Sequence, residues 1–323
     1  MKINNGRVTI AEDMKKKIIL DCDPGHDDAI AIMLAAKHPI FDLLAITVVA
    51  GNQTLEKTAR NAVHICSYLD IRDVPIAAGM AEPMIRKQVI ADAIHGETGL
   101  DGPSFGEPAL ELDTRHAVDL IIELLMNSDG DITLVPTGPL TNIGMAIRRE
   151  PRIVPKIKEI VLMGGAYQLG NVTPAAEFNI YADPDAAHVV VTCGRPIVMI
   201  GLDLTRQALV VKSMMDRIAS LNNKASKLFV DIMSWVGVRQ KEIYGWEGPP
   251  LHDPTTLIYL MDPSIIRTKP MHVAIELRSE ACYGRTLCDY FGITGEKPNA
   301  EVAVKLDFAK FEDAVYETLK LYS

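Results

Sequence analysis

The sequence predicts an α/β fold: an open, mainly parallel central sheet with helices on both faces and an active site at the carboxyl ends of the strands. Two observations carry that prediction. Short apolar runs such as Leu43-Leu44-Ala45-Ile46-Thr47-Val48-Val49 alternate with helical stretches along a chain of 323 residues, as strands covered on both faces do. Four carboxylates, Asp21, Asp23, Asp27 and Asp28, also fall within eight residues, between an apolar run and a helical one.

Lys15 to Lys17 precede Ile18-Ile19-Leu20, which reads as a short buried strand; Pro24-Gly25 turns the chain, and Ala29 to Ala36 is helical. The acidic cluster then stands at the carboxyl end of a strand, where open sheets hold ligands. Like charges this close raise one another's pKa unless a cation, a basic partner or water relieves them. A solvated acidic loop is the plainer alternative. The run from Leu43 to Val49 ends in Ala50-Gly51-Asn52-Gln53, so Asn52 leaves its strand at the same sheet edge, although a turn asparagine in αL explains the tetrapeptide by itself. Thr54 to Leu69 is helical and Val74 to Ala77 is another short strand.

The stretch from Gly79 to Asp113 is too long and too rich in Gly and Pro for a plain connection, and reads as a functional loop or lid. It carries His95, either a mobile site group with a near-neutral pKa or a solvated surface histidine. Helix Arg115 to Asn127, strand Ile132 to Val135, the turn Pro136-Thr137-Gly138-Pro139, helix Leu140 to Arg149 and strand Ile160 to Met163 follow. The strands end in Gly-rich breaks, but no GxGxxG or GxxxxGKS spacing is present, which excludes a nucleotide-phosphate loop. The Thr137 carbonyl faces the crevice, toward a hard cation or simply toward water.

Asn171, Glu177 and Asn179 offer amide and carboxylate groups in an apolar neighbourhood. If the segment is extended, positions 177 and 179 share a face and suit a ligand rich in hydroxyls. A loop bonding its own backbone explains them equally well. Asp183-Pro184 caps a helix from Asp185 to Thr192, Ile197 to Gly201 is a strand, and Asp203 reads as a cap. Lys212 to Tyr244 is helical twice over, with Gln240 and Tyr244 one turn apart on one face. His252-Asp253 pairs a titratable ring with an anion before a helix; a capping aspartate beside a buried histidine is the plainer account. Met271 to Leu277 and Val302 to Leu306 are β-rich, and Phe308 to Leu321 is a last helix.

With 33 Lys and Arg against 42 Asp and Glu, the net charge of -9 and the lack of a basic stripe argue against nucleic acid as a partner. A small neutral substrate suits this balance. No apolar run is long enough to span a bilayer, and the first fourteen residues lack the apolar core of a signal peptide. Five scattered cysteines without a CxxC pair indicate neither a zinc site nor a disulfide framework, and free thiols point to the cytoplasm. Residues 1–16 read as an N-terminal extension, with Met14 an equally good start, and 17–323 as one domain.

Taken together, DCDPGHDDAIAI (Asp21 to Ile32), AGNQTL from Ala50, IHGETGLDGP from Ile94, LVPTGPLTNI from Leu134, VLMGGAY from Val161, AEFNIYADP from Ala176, GLDLT from Gly201 and LHDP from Leu251 resemble the inosine-uridine nucleoside hydrolases, in the family's order from Lys17 onward. The resemblance implies hydrolysis of the N-glycosidic bond of ribonucleosides on an open α/β fold, with one calcium ion per subunit, in a homo-oligomer of four or two chains. It makes Asp23, Asp28, Asp253 and the Thr137 carbonyl the calcium ligands, and Asp23 the general base on a calcium-bound water. It gives Asp27, Asn52, Asn171, Glu177 and Asn179 to the sugar, and His252, then His95, to the leaving base. The chain resembles the pyrimidine-preferring branch, the ribosylpyrimidine nucleosidases, in which the positions of Gln240 and Tyr244 face a uracil or cytosine. The segment from Lys305 to Phe311 looks like the broader, less selective members. Two other functions compete: a magnesium-dependent phosphohydrolase, which also starts with Asp-x-Asp after a strand, and a nucleoside-binding protein without catalysis.

Overall fold

A computed structural model of the chain describes residues 2–4, 7–9 and 15–322. Its strands are β1 (Lys2–Asn4), β2 (Arg7–Thr9), β3 (Lys16–Cys22), β4 (Phe41–Val48), β5 (Ile76–Ala78), β6 (Ile132–Pro136), β7 (Ile157–Met163), β8 (Ile197–Ile200), β9 (Ile266–Met271), β10 (Val273–Ile275), β11 (Thr286–Cys288) and β12 (Ala300–Leu306). Its helices are α1 (His26–Lys37), α2 (Leu55–Tyr68), α3 (Asp92–His95), α4 (Ala117–Met126), α5 (Thr141–Arg149), α6 (Phe178–Ala182), α7 (Pro184–Val191), α8 (Leu202–Thr205), α9 (Lys212–Ala219), α10 (Lys224–Tyr244), α11 (Pro254–Met261) and α12 (Phe308–Leu319). Within the expected extension, β1 and β2 pair antiparallel, while residues 1, 5–6 and 10–14 lie outside the described residues.

Eight strands form one sheet in the order β5-β4-β3-β6-β7-β8-β12-β9, parallel throughout except for the antiparallel β12–β9 pair. The expected open, mainly parallel sheet is what the chain builds. Side chains alternate across each strand, so Ile18, Leu20 and Cys22 enter one core with α1, α2, α10, α11 and α12, while Ile19 enters the other with α4, α5 and α7. Ile46 and Val48 against Ala45, and Val161 against Ile160 and Leu162, divide in the same way. A sheet apolar on both faces has to be covered on both.

One expectation needs correcting. The β-rich stretch from Met271 to Leu277 is not a single strand: Met271 ends β9, and β10 pairs instead with β11 in a separate two-stranded ribbon. β9 lies at the edge of the main sheet, where Pro270 removes no ladder bond that a further strand would need.

The functional consequence lies in the strand order. From β3 the chain moves outward to β4 and β5, then returns to the other side of β3 as β6. The loops after β3 and β6 therefore diverge and leave a crevice at their carboxyl ends, the usual ligand position in such a sheet.

Candidate active site

The crevice is floored by carboxylates. Gly25 caps α1, with the Asp28 Oδ2 accepting from the Gly25 N–H at 3.0 Å, so Asp27 and Asp28 occupy the first helical turn. There the helix dipole favours negative charge. The end of β6, on the other side of β3, brings in Thr137, whose hydroxyl donates to Asp28 Oδ1 at 3.0 Å. From far along the chain comes Asp253, whose backbone N–H points at Asp27 Oδ2 at 3.4 Å. Carboxylate oxygens of Asp27, Asp28 and Asp253 all lie within 4.8 Å of one another.

Asp23 stands beside this trio and is held differently. Its Oδ2 accepts from the Asn52 N–H at 2.7 Å, and the Asn52 amide also donates to the Asp23 carbonyl and to Asp28 Oδ2. Backbone of two glycines walls it in: a Cβ on Gly138 would fall 2.6 Å from Asp23 Oδ1, and one on Gly51 would meet Oδ2 still more closely. Asp21, the fourth carboxylate of the cluster, is elsewhere. Its Oδ1 accepts from Thr47 and Asn142 inside the sheet, so it ties β3 to β4 and α5.

Burial pushes the Asp23 and Asp253 carboxyls well above the usual range, and the neighbouring aspartates push them further. Asp28 is raised to about 6, first by burial and then by Asp27. Such a set is relieved by a cation. Every available donor is oxygen, including the Thr137 carbonyl, which accepts from Asn179 Nδ2 at 2.7 Å and keeps a second lone pair. These residues fit a hard divalent cation.

Above the floor is a cavity of about 390 Å³, within the range of small-molecule sites. It is lined by Asp23, Asp27, Asn52, His95, Thr137, Asn171, Glu177, Asn179, Gln240, Tyr244, His252 and Asp253, so nearly all the residues singled out above meet there; Asp28 lies directly beneath. The condition that the segment be extended from 177 to 179 is not met: Glu177 is extended, but Asn179 lies within α6. Glu177 is the N-cap of α6, its carboxylate accepting from the N–H groups of Asn179, Ile180 and Gly165. Capping satisfies the free N–H groups of a helix start, and Asn171 Oδ1 adds a bond from the Phe178 N–H at 2.9 Å. Burial nevertheless lifts the Glu177 carboxyl to about 7.

His252 places Nδ1 2.7 Å from the Thr205 hydroxyl, and burial, with Arg206 nearby, pushes the ring down to about 4. Gln240 is buried in the wall with its Oε1 unpartnered, whereas Tyr244 stands at the rim, stacked on Trp246 at 4.5 Å. His95 is buried, not solvated, and its Nδ1 lies 3.0 Å from Nδ1 of His26. Sequence reasoning passed over His26, although it stands inside the quoted DCDPGHDD motif. It also passed over Arg206, which lines the cavity and donates to the carbonyls of Leu169 and Gly170, steadying the loop of Asn171. No periodicity or spacing marked that arginine.

A sequence profile of the inosine-uridine preferring nucleoside hydrolases matches residues 18–313. The chain belongs to the inosine-uridine preferring nucleoside hydrolase family. Among its nucleoside hydrolase relatives, the pyrimidine-specific ribonucleoside hydrolase RihB of Escherichia coli O17:K52:H18 (strain UMN026 / ExPEC) is 54% identical over 308 residues, covering 95% of this chain and 98% of that one. Among solved nucleoside hydrolases, a purine-preferring ribonucleoside hydrolase from Gardnerella vaginalis superposes with a TM-score of 0.89 at 32% identity, over 95% of this chain and 99% of that one. The plant nucleoside hydrolase PpNRh1 gives 0.87 at 31% identity, over 94% and 99%. Membership of this nucleoside hydrolase family removes the phosphohydrolase and the non-catalytic binding protein as competing accounts.

Proposed function

We propose that this enzyme hydrolyses pyrimidine ribonucleosides, uridine and cytidine, to free base and ribose. The observation that carries the pyrimidine preference is the buried, unpartnered amide oxygen of Gln240 in the cavity wall. It suits a small N–H donor on a base edge, such as uracil N3–H or the cytosine amine. The 54% identity to an enzyme named for pyrimidine specificity supports the same reading.

The division of roles rests on the family resemblance, and the geometry supports it. Asp28, Asp253 and the Thr137 carbonyl, with Asp23 and Asp27 alongside, would hold a calcium ion. When bound, it supplies charge that orients the ribose diol and lowers the pKa of a water. Asp23, held by the Asn52 N–H, takes the proton of the attacking water. Asn171, Glu177 and Asn179, with Asp27 and Asn52, hold the sugar. Breaking the glycosidic bond builds positive charge on the ring, which the buried carboxylates stabilise. His252 serves the leaving base, its ring oriented by the contact between Nδ1 and the Thr205 hydroxyl. His95 lines the same cavity and is the second candidate to serve the base.

The test is release of ribose from a panel of purified nucleosides, with kcat/KM for each. Uridine and cytidine lead; comparable values for inosine would replace this reading with a broad-specificity one. Gln240→Leu lowers kcat/KM for uridine and cytidine by about tenfold, the worth of one buried hydrogen bond, and changes inosine less. An equal loss on all three would remove Gln240 as a base contact. His252→Ala slows uridine by about 10²- to 10⁴-fold, but an aryl riboside with an activated leaving group far less. Equal losses on both substrates would end the leaving-group role.

Residues 17–323 are taken as one domain, acting in the cytoplasm, where five free cysteines are at home. Among the described residues no helix is long and apolar enough to cross a membrane. Assembly into tetramers or dimers would cover Phe291 and Ile293, 84% and 87% exposed beside the β10–β11 ribbon.

A further inference from the structure

His26 opens α1, yet its side chain turns away from the carboxylates. The ring is buried between Trp235, with centroids 4.7 Å apart and planes 13° apart, and His95, at 5.2 Å and 23°. It makes two polar contacts: Nε2 to the backbone carbonyl of Asp101 at 2.8 Å, and Nδ1 to His95 Nδ1 at 3.0 Å. A carbonyl only accepts, so His26 Nε2 carries a proton. A neutral imidazole has one N–H, which leaves His26 Nδ1 a lone pair. The contact with His95 is then a hydrogen bond only if His95 Nδ1 carries its proton. That leaves His95 Nε2 bare, on a ring that lines the cavity.

The surroundings hold this arrangement in register. The Asp101 carboxylate accepts from the Glu97 and Thr98 N–H groups, closing the loop that offers its carbonyl to His26. Arg239 stacks on Trp235 at 4.5 Å and donates to the Ala93 carbonyl at 3.0 Å, which fastens the His95 segment to α10. Gly25 lets the ring close in: a Cβ there would stand 2.6 Å from His95 Nδ1. A locked second partner is how an imidazole tautomer is set.

We infer that His26 is a positioning residue for His95: anchored to the Asp101 carbonyl, it accepts the His95 Nδ1 proton, locks that tautomer, and makes the bare Nε2 the atom that meets the nucleoside. His95 therefore first receives a hydrogen bond from the substrate. It donates a proton to the leaving base only after taking one at Nε2 from bulk solvent, and the Nδ1–H bond to His26 persists through that gain and loss. The inference rests on the proposed nucleoside site, since it assigns an atom of that site.

The full-length enzyme labelled with ¹⁵N-histidine tests it, with the His95 signals assigned by their loss in His95→Gln. Long-range ¹H–¹⁵N spectra should show the wild-type His95 protonated at Nδ1 and unprotonated at Nε2. His26→Phe keeps a ring against Trp235 but offers no acceptor; His95 should shift to the Nε2–H tautomer, and kcat for uridine should fall about 10²-fold, with KM changing less. His26→Asn puts an amide oxygen near the place of Nδ1 and should restore the tautomer and most of kcat. A wild-type His95 carrying its proton on Nε2 would overturn the inference, as would equal kcat losses in both variants with the tautomer unchanged. Because the spectra need no turnover, a wild-type enzyme inert toward nucleosides would sink the proposed function while leaving the tautomer result standing.

Discussion

Asp23→Asn is expected to reduce uridine turnover by on the order of 10³-fold or more, within the range that a removed general base costs. The substitution is close to isosteric, and its amide oxygen still accepts from the Asn52 N–H that holds the native carboxylate. Gly51 and Gly138 leave the side chain only that position. The fold should therefore survive while the proton acceptor is lost, and calcium affinity should weaken, since a charge leaves the cluster. The check is kcat under saturating uridine, with a thermal melt and calcium titration calorimetry beside it. Turnover within tenfold of wild type would take the base role from Asp23.

Removal of the cation is the other large effect. Dialysis against a chelator should abolish turnover, and calcium should restore it; magnesium should not, since it demands near-ideal octahedral geometry at shorter distances. Asp253→Ala should prevent the recovery, because it removes one member of the clustered trio. Equal rescue by magnesium would overturn calcium as the resident ion.

The raised carboxyls make this site pH-dependent, and the sign follows from where they titrate. Asp23, Asp28 and Asp253 have folded-state values above the ordinary 3.8. Without a cation the folded chain thus binds more protons than the unfolded one, and these groups cost stability as pH rises from about 4 through their raised values. The proposed calcium ion would bind the ionised form, so its affinity should weaken as pH falls from neutrality. At a hundred times its Kd it should add about 2.7 kcal/mol to the folded state. Melting curves at pH 5 and pH 7, with and without calcium, read both effects. A calcium-induced shift as large at pH 5 as at pH 7 would contradict the scheme.

Much of the site was legible in one dimension because its residues sit at the ends of apolar runs. A strand that must be covered on both faces has no place for Asp23 or Asn52 except at its tip, and both are found there. His252-Asp253 was less legible, since as a tripeptide with Pro254 it reads more readily as a helix cap. The same holds for Glu177, which bonds its own backbone as the cap of α6 and lines the cavity as well. His95 reads from sequence either as a mobile site group or as a loop histidine open to water. It is buried because Trp235 and His26, from distant parts of the chain, close over its segment.

By itself the sequence determined the alternation of strands and helices, the parallel sheet, the acidic turn after β3 and the family. Those properties are local: they depend on the periodicity of apolar side chains and on short motifs that turn the chain in one way. Only the tertiary structure decided which carboxylates share a floor, bringing Asp253 to Asp27 and Asp28 while turning Asp21 into the sheet. It alone decided that a histidine within the motif faces another histidine rather than the carboxylates beside it. Burial and contact between residues far apart in the chain set the charge and the tautomer of each group, and no pattern of neighbours along the chain carries that information.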